Sequence, residues 1–187
     1  MSGPPSLYTE PEWEDRKHKL IFALVDELLD QHSPVSHLAD ERQAIIVQNA
    51  FLHFAGQRYS LFAYVIMPSH HHWLFLPDEN WSLEAIRGVP ASESRRRTPR
   101  EIISHSIQSY TATMCNRIRG GAGAYWQTET FDHWVRDEAE LLRIIDYIEQ
   151  NPVKAGLVDR PELWPWSSAR HRTLTGTKRG DPLRKVG

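Results

Sequence analysis

Apolar residues recur at helical spacing through Leu20, Ile21, Leu24, Val25, Leu28 and Leu29, which predicts an amphipathic helix over residues 11–31. Asp40 is a good cap for a second helix, which runs through Ile45, Ile46, Ala50 and Phe54 and stops at Gly56. The period then changes. Tyr59 to Met67 is dense in β-branched and aromatic residues, Pro68-Ser69 breaks it, and His70 to Leu76 is a second such run, so a pair of strands is predicted. Residues 78–98 mix Pro, Gly, Ser and an arginine run with little periodicity and read as a surface loop. A helix starts near Thr98-Pro99, passes through Ile102, Ile103, Ile107, Tyr110 and Met114, and ends at Arg119 before Gly120, Gly121 and Gly123. Tyr125 to Val135 reads as a third strand. Asp137 caps a further helix through Leu141, Leu142, Ile145 and Ile148, limited at Asn151 by Pro152. Beyond Leu163-Trp164-Pro165-Trp166 the apolar content collapses, and a tail without fixed structure is expected.

Strands interrupted by long helices predict an α+β fold, a ferredoxin-like or RRM-like antiparallel sheet with helices on one face. Such a sheet wants four strands and the pattern supplies three, so the first strand is absent or hidden in the N-terminal segment. A chain of 187 residues holds one well-buried core rather than two. The expected division is an acidic helical segment over 1–39, the folded domain over 40–172 and a basic tail over 173–187. The apolar stretches near Leu20–Leu29 and Tyr64–Leu76 fall short of a membrane span, and no basic leader precedes an apolar run. No membrane partner and a cytoplasmic location are expected.

The net charge of −2 is the sum of blocks of opposite sign. Residues 1–55 hold nine acids against four bases and residues 128–150 seven acids against two bases. Between them, residues 87–119 hold seven arginines against two glutamates, and residues 154–187 hold eight bases against three acids. Basic blocks of this kind are a footprint for a polyanion, with solvated surface as the plainer alternative.

Chemistry concentrates in two places. In a strand, residues two apart face the same side, so His70 and His72 would present imidazoles about 6 to 7 Å apart at the backbone, a geometry that suits a shared divalent metal. An exposed polar patch at a strand start is the alternative. The lone cysteine, Cys115, cannot build a thiolate cage, so any metal is held by nitrogen and oxygen. Tyr147 and Asn151 lie four apart near a helix C-terminus, one phenol and one carboxamide on one face. By themselves they also fit a tyrosine packed on the sheet and a capping asparagine. Tyr110 is a rival nucleophile on another helix, but Met114 stands where a polar residue would be needed. His133 reads as structural and Cys115 as an inert buried thiol.

Taken together, MPSHHHWLFLP (67–77), YWQTETFDHWVRDEAELLRIIDYIEQNPVKAGLV (125–158) and PELWPWSSARHR (161–172) strongly resemble the REP-associated tyrosine transposases, single-tyrosine members of the HUH nuclease superfamily. The resemblance spans roughly residues 40–172. It implies that Tyr147 is the nucleophile, that His70, His72 and Asn151 hold a divalent metal, Mg²⁺ or Mn²⁺, and that His71 fills a slot that is usually apolar. Insertion-sequence relatives use glutamine where Asn151 stands, and Ser69 stands where the family often has asparagine. The implied activity is cleavage and rejoining of single-stranded hairpin DNA through a 5′-phosphotyrosine link, with a homodimer as a possible assembly. The competing expectation is a truncated or domesticated copy that binds hairpin DNA without cutting it. The arginines Arg87, Arg95, Arg96, Arg97, Arg100, Arg117 and Arg119, with Arg170 and Arg172, are the expected phosphate contacts. Trp73, Trp126 and Trp134 could stack on bases, although core packing suits at least two of them better.

Overall fold

The computed structural model describes residues 35–87, 97–126 and 135–183. The chain divides into two compact units, Met1–Ser36 and His37–Gly187, and every element described here belongs to the second. The helix expected over 11–31 lies outside the described residues, and so does 127–134, the middle of the expected third strand. At the edges of that gap Tyr125, Trp126 and Val135 are not in a strand.

After a short 3-10 turn, His37–Ala39, the Asp40 carboxylate accepts the Arg42 backbone N–H and opens helix α1, Glu41–His53. Gly56, with φ of 77°, supplies the left-handed turn into strand β1, Tyr59–Ile66. Strand β2, His71–Pro77, pairs antiparallel with it. Helix α2, Glu79–Arg87, comes next, where a loop was expected. Asp78 caps it through the Trp81 backbone N–H at 2.9 Å, and Leu83 and Ile86 on it are exposed. Helix α3, Pro99–Arg119, has a full capping box between Thr98 and Glu101 and ends at Gly120 in the left-handed conformation, as the pattern predicts.

Helix α4, Glu138–Lys154, starts at the Asp137 cap but runs through Pro152 instead of ending at Asn151. Proline removes one donor only. The last turn still closes, with the Ala155 N–H donating to Asn151 O and the Leu157 N–H to Pro152 O, each at 2.9 Å, before Gly156 stops it. Helix α5, Ser168–Thr175, follows a 3-10 turn at Pro161–Leu163, and the chain stays folded through Leu183, which is buried and donates its N–H to Leu61 O at 2.7 Å. The tail expected to be unstructured from residue 173 is therefore part of the domain as far as Leu183.

The architecture is α+β and antiparallel, but helices cover both faces of the hairpin rather than one. The cause is in β1. Its sequence YSLFAYVI is apolar nearly throughout, the mark of a strand buried on both sides. A bulge sets the phase: Leu61 pairs with Phe75 and Ala63 with Leu74, leaving Phe62 as the extra residue. Tyr59, Leu61, Tyr64 and Ile66 then pack with Phe51 of α1 and with Ile103 and Ile107 of α3. On the opposite face, Ala63, Val65 and Met67 pack with Ile145 and Ile148 of α4.

The α4 face is locked by charge. Glu149, 1% exposed, accepts from Ser168 Oγ at 2.6 Å, from Arg172 Nε at 3.1 Å and from Arg179 at 3.3 Å. Arg172, itself buried, also donates to the carbonyls of Lys178, Asp181 and Phe62. One guanidinium thus ties α4, α5, the C-terminal segment and the bulge of β1 together. Removing one partner from a buried pair leaves an uncompensated charge, so Glu149→Gln is expected to lower the unfolding free energy by about 3 kcal/mol in urea denaturation. Unchanged stability would show that the network carries no weight.

Candidate active site

The antiparallel register divides the histidine triplet. Val65 opposes His72 and Ile66 opposes His71, so His72 shares the α4 face with Leu74 while His71 turns to the α1 face with Trp73 and Phe75. His70, just before the strand, comes back beside His72, with ring centroids 5.0 Å apart. The Tyr147 ring, on the inner side of α4, lies 6.2 Å from that of His72. The pair predicted from strand spacing and the helical tyrosine therefore meet on one face.

Local bonds orient this group. The His70 Nδ1 is 2.9 Å from Ser69 Oγ, and the tautomer in which Nδ1–H donates to the serine leaves the lone pair on Nε2. The Nε2 atoms of His70 and His72 are both buried. Asn151 is buried one turn beyond Tyr147, and its Nδ2 donates to the Tyr147 carbonyl at 3.3 Å, which leaves the amide oxygen as its acceptor end. Among the described residues no three His, Cys, Asp or Glu side chains gather as a metal-ligand set. Two contacts went unforeseen in the sequence: Ser69 on His70, and the Lys154 Nζ 4.2 Å from the centre of the Tyr147 ring. The spacing of 147 and 154, two helical turns, is the signal that could have found the second.

His71 is a core residue. Its ring packs at 5.3 Å from that of Phe51 and 4.7 Å edge-on to that of Trp126, and its Nδ1 is buried with no hydrogen-bonding partner among the described residues. Burial first, and the neighbouring His72 and His70 second, push its pKa down to about 3.

The expected phosphate contacts separate into two kinds. Arg87, Arg97, Arg117, Arg119 and Arg170 are exposed, and Arg100 is partly so. Arg95 and Arg96 lie outside the described residues. Arg172 is withdrawn from the set because its guanidinium is buried in the Glu149 network, where no phosphate reaches it. Trp73 and Trp126 are partly buried against the core and Trp126 Nε1 donates to Thr111 Oγ1, which suits packing better than base stacking, while Trp134 and His133 fall outside the described residues. Tyr110 is 55% exposed on α3, a helix that packs on the face away from the two histidines. Cys115 is buried, and that burial raises its thiol pKa, which suits an inert thiol.

No family model matches the chain. A Haemophilus influenzae protein named for the REP-associated tyrosine transposases is 33% identical over 107 residues, 57% of this chain and 56% of that protein. The chain is thus similar to proteins named as REP-associated tyrosine transposases. The Escherichia coli REP-associated tyrosine transposase is 26% identical over 114 residues, 61% of this chain and 56% of its own length. The chain thus spans just over half the length of these curated relatives. A solved structure of a REP-associated tyrosine transposase bound to a REP hairpin aligns with a TM-score of 0.51 at 20% identity, over 84% of this chain and 82% of that one, a likeness of fold. Among the described residues no helix is long and apolar enough to cross a membrane.

Because the folded-state pKa of His71 lies below its unfolded value of about 6.5, folding favours the neutral ring, and stability from this residue is lost as pH falls below 6.5 toward 3. Relative to wild type, His71→Phe is therefore expected to gain stability by about 1.4 kcal/mol per pH unit in that window, read from urea midpoints at several pH values. A pH-independent difference would contradict the burial of this ring.

Proposed function

We propose that the chain cleaves and rejoins single-stranded hairpin DNA of the REP type, with Tyr147 as the nucleophile. The observation that carries this reading is the convergence of His70, His72 and Tyr147 on the α4 face of the hairpin, with ring separations of 5.0 and 6.2 Å. The relatives' names and the REP hairpin bound in the solved neighbour support this chemistry and substrate class.

Tyr147 attacks a phosphodiester, forms a 5′-phosphotyrosine and releases a 3′-hydroxyl that can reverse the step. Bond energy is kept in the covalent link, so no nucleotide cofactor is required. At pH 7 an unperturbed phenol is ionised about once in a thousand, so forming the nucleophile costs about 4 kcal/mol. His70, His72 and the Asn151 amide oxygen are the groups that would hold Mg²⁺ or Mn²⁺. The donor set is compatible: neutral imidazole nitrogens and a carbonyl oxygen leave positions for phosphate and water. Such an ion, when bound, supplies Lewis-acid polarisation of the phosphate oxygens worth several kcal/mol. Ser69 fixes the His70 tautomer, and the packing of α4 on β1 holds the phenol beside the histidines.

The exposed arginines at 87, 97, 117, 119 and 170 are the proposed contacts to the DNA backbone. Hairpin affinity is expected to fall at least tenfold between roughly 50 and 200 mM salt, and a flat salt profile would remove them from the interface.

The test of the reaction incubates the full chain with a labelled hairpin oligonucleotide and Mg²⁺ or Mn²⁺ and looks for a covalent adduct on a denaturing gel. Wild type is expected to form it and Tyr147→Phe to form none. An adduct that persists in Tyr147→Phe eliminates this nucleophile, and tight hairpin binding with no adduct from wild type identifies a binding module instead.

A further inference from the structure

Lys154 closes α4, and its ammonium stands over the face of the Tyr147 ring, 4.2 Å from the ring centre. Residues two helical turns apart share a face, so a single helix presents both the phenol and the cation. A lysine in a last turn is favourable with the helix dipole anywhere on the circumference, which explains a cation here but not its place on this ring. Among the described residues no carboxylate lies within ion-pair distance of Lys154. Its side chain is exposed, so the charge is open to a ligand approaching Tyr147. A positive charge on the ring face with no carboxylate partner among the described residues suits a site where negative charge is to arrive.

We propose that Lys154 is a further catalytic residue, its ammonium touching the scissile phosphate of the DNA as Tyr147 attacks. This rests on Tyr147 acting as the nucleophile. In the step, the Tyr147 oxygen forms a bond to phosphorus and the phosphorus–O3′ bond breaks, its electron pair leaving with the 3′ oxygen. The phenol proton is released to solvent, the 3′ oxygen takes one up, and no further reactant is needed. Negative charge gathers on the entering oxygen and the phosphate oxygens in the transition state, and a cation already placed on the nucleophile's ring favours that charge without having to reorganise. Lysine provides this as a point charge and arginine can substitute in sign, whereas glutamine keeps most of the bulk and removes the charge.

The experiment compares wild type, Lys154→Gln and Lys154→Arg as full chains, each checked for an unchanged unfolding midpoint. It measures single-turnover adduct formation on a labelled hairpin oligonucleotide and, separately, the affinity for that oligonucleotide. A third readout is retention, with orthovanadate as a mimic of five-coordinate phosphorus, of the two oligonucleotide halves that flank the cleavage point. Lys154→Gln is expected to lose about 100-fold in adduct rate and to weaken the vanadate complex in parallel, while hairpin affinity changes less than about threefold. Lys154→Arg is expected to recover to within about tenfold of wild type. An adduct rate in Lys154→Gln equal to wild type overturns the proposal and leaves Tyr147 as the nucleophile. Equal loss in the glutamine and arginine variants overturns it as well, because charge would then not be the property that matters. Failure of wild type to give either adduct or vanadate complex overturns the strand-transfer reading and this proposal with it.

Discussion

A single buried ion pair, Glu149 with Arg172, holds the parts of this domain in register. Glu149 lies on α4 between Tyr147 and Asn151, and Arg172 carries its charge to α5, to the segment that ends at Leu183 and to the Phe62 carbonyl at the bulge of β1. A buried charge with a poor partner costs several kcal/mol, so this contact tolerates little displacement of α4 along or around its axis. The helix that bears the candidate nucleophile is thereby held against the strand that leads into the histidines. Apolar packing of Ile145 and Ile148 on Ala63, Val65 and Met67 supplies attraction, but it is not directional. Angular definition comes from the guanidinium fork.

The bulge at Phe62 matters for the same reason. It shifts the alternation of β1 so that a strand apolar on both faces can meet α1 and α3 on one side and α4 on the other. Register across the hairpin then decides the fate of three adjacent histidines. His71 opposes Ile66, joins Phe51 and Trp126 and stays neutral, whereas His72 opposes Val65 and turns with His70 toward Tyr147. A one-residue slip would exchange these roles and put a lone histidine where the pair stands.

Much of this was legible in the residues. Asp40, Thr98 and Asp137 open helices where their capping chemistry says they should, and the hairpin appears where two aromatic and β-branched runs flank Pro68-Ser69. The convergence of His70, His72 and Tyr147 came from family resemblance, since no periodicity relates a strand to a helix some 75 residues on. Features whose buried face is polar were missed. Helix α5 buries Ser168, His171 and Arg172, so its apolar count is low and it reads as tail, and Arg172 reads as a surface cation because only its distant partner Glu149 makes burial tolerable. Helix α2 was overlooked because it was read together with the Pro, Gly, Ser and Arg residues that follow it. Pro152 was over-weighted because its cost falls on one bond in a final turn that closes by other means.

The central claim is that the Glu149 and Arg172 lock holds Tyr147 beside His72, and nuclear Overhauser contacts between the two rings measure this without recourse to activity. Ring centroids 6.2 Å apart place ring hydrogens within contact range, so the free wild-type chain should give cross-peaks between the Tyr147 and His72 rings. In Glu149→Gln, under conditions where the variant remains folded, those cross-peaks should weaken or vanish while the pairing of β1 with β2 persists. Absence of the cross-peaks in wild type, or their full intensity in Glu149→Gln, would contradict the claim.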